Sequence, residues 1–312
     1  MTSAGRTLVI GSRASRLALW QAGHIQERLR AVGREARIEM IHTSGDRITD
    51  RPLAAIGGQG VFVKEIEEAL LAKRIDLAVH SLKDLPTQQP EGLVLACVPE
   101  REDPRDLLAA PGAPSLADLP AGAVLGTGSP RRACQILVLR PDLHIQDLRG
   151  NVDTRVAKLM RGEYGAILLA CAGVRRLGLQ VEGQVLALEQ MLPAVGQGAL
   201  AIETRADDAE ARAVLAPVNH PPTAAAVAAE RAFLLGLGGG CQAPIAAVGE
   251  VAGEGLSLRG LVGDPEGGRL LRGRRSGSAA DPEAVGAALA ESLLEQGAAA
   301  LVARAPKSPG WR

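Results

Sequence analysis

Short apolar runs alternate with amphipathic stretches over the first two hundred residues, and this alternation restricts the possible folds more than any other feature. Leu8-Val9-Ile10 reads as a strand, the apolar spacing from Ala18 to Val32 predicts a helix, and Ile38 to Ile41 predicts a second strand. A helix over Val61 to Ala72 and a strand at Leu77-Ala78-Val79 continue the series. From about residue 101 the pattern restarts. It gives a strand at Val124-Leu125-Gly126, a helix opened by Ser129-Pro130, a helix over Asn151 to Met160 and a strand at Ala166 to Leu169. Such alternation builds sheets covered by helices, with functional groups where strands end in loops. After Pro217 the pattern changes. A helix from about 223 to 236 is followed by alternating stretches near 245–251, 256–263 and 269–274, then by a helix opened by Asp281-Pro282. The expected fold is α/β, with a first unit over 1–100 that takes back segment 199–217, a second over 101–198, and a smaller α+β unit over 218–312.

With 312 residues and 46% hydrophobic composition, the chain is long enough for two or three cores. Two Trp, one Tyr and two Phe leave those cores to Leu, Ala, Val and Ile. The 35 basic and 35 acidic residues cancel, so global charge points to neither nucleic acid nor a membrane surface. The four cysteines, at 97, 134, 171 and 241, form no CxxC pair, which argues against a zinc ribbon or a disulfide framework. The five histidines lack HExxH spacing, and no metal is expected. Met1 to Gly11 has no long apolar stretch with a cleavage site, and no window approaches twenty apolar residues, so a soluble cytoplasmic protein is expected.

Arginines recur at the turns. In Gly126-Thr127-Gly128-Ser129-Pro130-Arg131-Arg132, Ser129 can cap a helix whose first turn holds Pro130, bringing backbone N–H groups and two guanidiniums together where an anion can sit. Cations oppose the dipole at that end, which an anionic ligand would justify. The plain alternative is that Arg131 and Arg132 are solvated. Arg149-Gly150-Asn151-Val152-Asp153-Thr154-Arg155 and Arg175-Arg176, after a strand and turn ending at Gly173, repeat the theme. Bidentate guanidiniums suit carboxylates and phosphates.

In the first unit, Arg13 and Ser15 sit beside a helix start, and the Gly57-Gly58-Gln59-Gly60 loop precedes the helix carrying Lys64. His80-Ser81-Leu82-Lys83-Asp84-Leu85-Pro86 follows a strand, and Asp84 beside Lys83 can stabilise a developing cation and relay a proton, or form only a surface ion pair. His80 is either a structural histidine or a support behind the site. Cys241 follows Gly238-Gly239-Gly240. It is either a small buried apolar group or a thiol presented for covalent attachment of something bulky.

Several long segments resemble the porphobilinogen deaminase (hydroxymethylbilane synthase) family. They include Gly11-Ser12-Arg13-Ala14-Ser15, Phe62-Val63-Lys64-Glu65, His80 to Pro86, Arg101-Glu102-Asp103-Pro104-Arg105-Asp106 and Ser129-Pro130-Arg131-Arg132. Leu148-Arg149-Gly150-Asn151, Leu192-Pro193-Ala194-Val195-Gly196-Gln197-Gly198 and Gly239-Gly240-Cys241-Gln242 extend the match in the family's order from about residue 6 to about 303. The resemblance implies two periplasmic-binding-protein-like α/β domains plus a smaller C-terminal α+β domain. It also implies a dipyrromethane cofactor held through a thioether to Cys241.

The implied activity is that of a transferase that condenses four porphobilinogen molecules head to tail onto the dipyrromethane, losing ammonia at each step. Hydrolysis then releases linear hydroxymethylbilane for tetrapyrrole and heme biosynthesis. Asp84 takes the catalytic role. Arg13, Ser15, Lys83, Ser129, Arg131, Arg132, Arg149, Arg155 and Arg176 contact the acetate and propionate groups, while Phe62, His80 and Gln59 stand in the second rank or the loop. A monomer is expected, with product passed to uroporphyrinogen-III synthase, and with no nucleic acid or membrane partner.

Four positions depart from the family pattern. Gln59 stands where Lys is common, Gly128 where Ser is usual, Arg16 where Pro is familiar and Asp153 where Gly is familiar. Asp153 is expected to face away from the arginines. Two other readings exist: a noncatalytic two-lobed carboxylate binder, and a thiol acyltransferase using Cys241 and His80.

Overall fold

The computed structural model describes residues 6–43, 63–239 and 243–304. In chain order its strands begin with β1 (Leu8–Ser12), β2 (Ala36–Met40), β3 (Leu77–Ser81), β4 (Leu93–Cys97), β5 (Asp106–Ala109) and β6 (Val124–Gly126). They continue with β7 (His144–Gln146), β8 (Ala166–Ala170), β9 (Gly183–Val185), β10 (Leu200–Arg205), β11 (Ile245–Ala252), β12 (Gly255–Gly263) and β13 (Leu270–Ser278). Among the described residues they make two five-stranded sheets, ordered β2-β1-β3-β10-β4 and β7-β6-β8-β5-β9, and one three-stranded sheet, β11-β12-β13.

The two larger sheets share a plan. Three parallel strands form one side of each, and the fourth position is taken by a strand antiparallel to both neighbours, β10 in the first sheet and β5 in the second. Those two strands enter their sheets directly after the chain has crossed from the other one.

Helices cover the sheets for local reasons. Ser15 caps helix Arg16–Ala31 by accepting the Ala18 amide, and Ala18, Ala22, Ile25 and Leu29 bury one stripe of it. That stripe meets Leu8, Ile10, Leu77, Val79 and Ile202. Ser129 likewise caps helix Pro130–Leu139 through the Arg132 amide, with Pro130 in the first turn. The third sheet is antiparallel throughout and carries helices Pro221–Gly236 and Pro282–Glu295 around Phe233, Val285, Leu289 and Leu293. Phe233 is fully buried, one of the few aromatic rings in cores otherwise built from aliphatic side chains.

Most predicted elements appear where the periodicity placed them. One differs: β8 passes directly into helix Cys171–Arg176, so Arg175 and Arg176 lie in a helix's last turn and not after a strand and turn. Cys171 N donates to Arg105 O at 3.0 Å where the strand ends, and the helix begins with no capping side chain and none of the Gly or Asn that marks a turn. Asp84 sits in a single 3-10 turn, Leu82–Asp84, at the exit of β3.

The two crossing segments, 98–105 and 192–199, run against each other. Glu102 N donates to Gly198 O at 3.2 Å, Arg101 Nε to Gln197 O at 2.8 Å and Gln197 Nε2 to Pro104 O at 2.7 Å. Gly198 has φ +88°, and a Cβ there would strike the Glu102 carbonyl, so only glycine fits. The third unit is fastened at the same place. Glu230, fully buried on helix Pro221–Gly236, accepts from the Arg101 guanidinium, from Gly196 N at 2.7 Å and from Gly249 N at 2.8 Å.

Replacing Glu230 with Ala leaves the largely covered Arg101 without its counter-charge and two amides without an acceptor. The expected loss is about 3–5 kcal/mol of stability, measured by urea unfolding. A loss below about 1 kcal/mol would show that the clasp does not hold the third unit.

Candidate active site

The carboxyl ends of β3 and β8 face one another across a cleft between the first two units. Its walls include Gln21, Ser81 and Lys83 from one side, Arg132, Arg155 and Arg176 from the other, and Gly198 from a crossing segment. The cavity is about 70 Å³. A larger one, about 440 Å³, lies between β4 and helix Pro221–Gly236, away from this cluster of cations.

Four cationic side chains on one small cleft are electrostatically costly. Burial pushes the Lys83 ammonium down to about 8, Arg132 and Arg131 add to the shift, and Asp84 and Asp106 oppose it. Burial, followed by repulsion from Arg132 and Arg149, takes Arg155 down to about 10. Burial alone takes Arg176 to about 10 against the opposing pull of Glu102. Among the described residues the cleft gathers more cations than carboxylates, and a ligand bearing several carboxylates suits that balance. Asp84 is exposed at the cleft edge, close enough for its charge to act on Lys83 and Arg155.

Arg131 and Arg132 are 4% and 5% exposed, which overturns the solvated alternative. Both grip the fully buried Asp106, at 2.7 Å from Arg131 Nη1 and 2.7 Å from Arg132 Nη2. Burial alone would raise the Asp106 carboxyl, but the two guanidiniums and Gln197 hold it well below the usual carboxylate range. Arg131 also donates to Leu192 O, and it does not line the cleft; Arg132 donates to Leu168 O and does.

Arg149 pairs with Asp147 Oδ2 at 2.9 Å. A Cβ at Gly128 would come within 2.8 Å of Asp147 Oδ1, so glycine at this position goes together with a carboxylate at 147. Asp153 accepts the Thr154 amide while Arg155 Nε donates to Gly150 O, so Asp153 does not compete for Arg155. Arg13 is half-buried at the end of β1 next to Ser15. Ser15 and Ser129 use their hydroxyl oxygens as helix caps. His80 stands behind the site, its Nε2 3.0 Å from Glu203 Oε2, with both side chains buried.

Burial pushes the Cys97, Cys134 and Cys171 thiols up to about 12, as befits core fillers. Cys241, Gln59, Phe62 and the Gly57–Gly60 loop lie outside the described residues. Asp106 and Gln197 fell within matched segments, yet nothing in the local sequence marks either as the partner of a distant arginine.

The model for the porphobilinogen deaminase dipyromethane cofactor binding domain matches residues 8–213, and that for the porphobilinogen deaminase C-terminal domain matches residues 224–295. The chain belongs to the porphobilinogen deaminase family. The porphobilinogen deaminase of Roseiflexus sp. strain RS-1 is 52% identical over 96% of this chain and 99% of its own length. That of Roseiflexus castenholzii is 53% identical over 95% of this chain and 99% of its own. Among solved structures, the periplasmic aliphatic sulphonate binding protein of Escherichia coli is 16% identical, with 74% of this chain and 70% of that chain covered and a TM-score of 0.41. That likeness is loose, and nothing about the site follows from it.

The excess of cations on the cleft fits a dipyrromethane, whose rings carry acetate and propionate groups. Among the described residues, no helix is long and apolar enough to cross a membrane.

The Lys83 shift sets a pH dependence. Only protonated Lys83 attracts a carboxylate, so affinity for a pyrrole bearing acetate and propionate falls as pH rises through about 8. The fall approaches about tenfold per pH unit above that point if Lys83 carries the contact alone. Calorimetric titration from pH 7 to 9.5 measures it, and Lys83→Met is expected to flatten the profile.

Proposed function

We infer that the protein is a hydroxymethylbilane synthase that condenses four porphobilinogen molecules head to tail onto a dipyrromethane carried by Cys241, then releases the linear product by hydrolysis. The observation that carries this reading is the convergence of Lys83, Arg132, Arg155 and Arg176 on one cleft with Asp84 at its edge, in a chain of this family. The bound dipyrromethane would supply the electron-rich pyrrole carbon on which each new ring is placed.

The protein's own residues bind, orient and manage charge. Lys83, Arg132 and Arg155, joined by Arg176 along the growing chain, clamp acetate and propionate groups and fix the position and direction of the rings. Arg13 and Arg149 extend the clamp, and Asp147 moderates the pull of Arg149. Arg131 acts by locking Asp106 and therefore Arg132. Ser15 and Ser129 serve through the helix amides they arrange.

Asp84 accepts pyrrole N–H hydrogen bonds and offsets the positive charge that develops on a substrate ring as ammonia leaves. The same carboxylate takes up the proton displaced from the bond-forming carbon. Phe62 and Gln59 take supporting roles in the family pattern, and His80 steadies β3 from behind. The acyltransferase alternative would need His80 as a base, but His80 is buried against Glu203. A monomeric, cytoplasmic enzyme that passes its product to uroporphyrinogen-III synthase completes the reading.

Intact mass with peptide mapping tests the covalent primer. The expected result is an excess equal to two linked pyrrole units on the peptide containing Cys241. An unmodified thiol that stays unmodified after incubation with porphobilinogen would refute the assignment.

A second test concerns Asp84. Asp84→Asn keeps the side-chain shape but removes the charge, and kcat is expected to fall by about 10²–10⁴ while the bound primer is retained. A loss smaller than about tenfold would remove Asp84 from the proton and charge steps.

A further inference from the structure

In a chain with five aromatic residues, Trp20 is conspicuous because 40% of it is exposed instead of filling a core. It lies on helix Arg16–Ala31 of the first unit, its ring stacked on His24 with centroids 5.2 Å apart and planes 6° from parallel. The Arg176 guanidinium, from the second unit, lies over the Trp20 ring with Cζ 5.7 Å from its centroid. The contact therefore bridges the two walls of the cleft.

Two neighbours reinforce it. Arg16, one turn earlier on the same helix face, reaches Leu177 O through Nη2 at 3.5 Å. This is the position at which the chain departs from the proline seen in the family pattern. Between them, Leu17 faces Gly173, where an added Cβ would be 3.8 Å from Leu17 Cδ2. One face of the first helix thus rests on the short helix Cys171–Arg176.

The cleft behind this contact is lined by Lys83, Arg132, Arg155 and Arg176, and the condensation inferred above adds ring after ring to it. Arg176 has two competing uses, one over Trp20 and one as a partner for carboxylates, and its donation to Gly198 O at 2.7 Å keeps it at the cleft wall meanwhile.

We propose that Trp20, with Arg16, is a positioning residue forming a latch between the first two units, holding Arg176 in the short-chain state and releasing it to a carboxylate as the pyrrole chain lengthens. The latch favours short-chain complexes over long ones because it is made only while the walls are close. It rests on the condensing activity inferred above.

The chain has two tryptophans, so Trp311→Phe leaves Trp20 as the single reporter. That protein, carrying its primer, is mixed with increasing porphobilinogen; emission is recorded and the same samples are weighed by native mass spectrometry. The expected result is a red shift of Trp20 emission that appears as species with added pyrrole units accumulate. In the parent background, Trp20→Leu is expected to shift the ladder of bound species towards longer chains at equal substrate. Arg16→Ala shifts it the same way by less, and Trp20→Phe, which keeps a ring, stays nearest the parent. Emission that is constant across every mass state, or a Trp20→Leu ladder that superimposes on the parent's, overturns the latch. A parent protein that gains no pyrrole mass at all overturns the activity reading itself, and the latch with it.

Discussion

The site depends on one buried carboxylate. Asp106 collects two guanidiniums and the Gln197 amide at the point where β5 enters the second sheet. Two arginines adjacent in sequence could not share an interior without it, since each would carry an uncompensated charge. Asp106 directly follows the first crossing segment and Gln197 lies in the second, so the pair that orients Arg132 is built into the junction between units. Position and charge of the cleft are therefore fixed by the same contacts that define how the chain passes from one sheet to the other.

A division of labour among the cations follows. Arg101, Arg131 and Arg205 have their charge answered inside the protein, by Glu230, by Asp106, and by Asp76 with Asp208 respectively. Burial shifts Arg155 and Arg176 downward, and among the described residues no carboxylate reaches either at hydrogen-bonding distance. Residue type alone does not separate the two groups. What separates them is whether a carboxylate from a distant segment arrives at hydrogen-bonding distance.

This explains what could be read from the sequence and what could not. Helix starts at Ser15, Ser129 and Asp281 are local chemistry, with the capping side chain and the amide it accepts three residues apart, so they were legible. Strands with a full apolar run, such as β3 and β8, were equally clear. Strands β4, β5, β7, β9 and β10 were not read from the sequence, and β7 and β9, three residues each with exposed ends, lack even the apolar run that marked β6. Glu230 and Asp106 meet partners 129 and 25 residues away, and neither pairing leaves a mark on its neighbours. Trp20 looked like any apolar residue in a helical pattern, and only the fold shows that its ring faces Arg176. The residues of the proposed cleft were found by motif, whereas the contacts that arm them required three dimensions.

The position of β10 also bears on how the protein is made. Among the described residues β4 pairs with β10 alone, a strand synthesised about a hundred residues later, after the whole of the second sheet. A nascent chain that has just emerged through β4 can therefore assemble β1, β2 and β3 but must leave β4 as an unpaired edge. The first unit becomes complete only when the ribosome has delivered residues 200–205, and the second unit folds while its neighbour is still open. Long-range closure of this kind makes the interval of synthesis between β4 and β10 the period in which the chain is most exposed to aggregation.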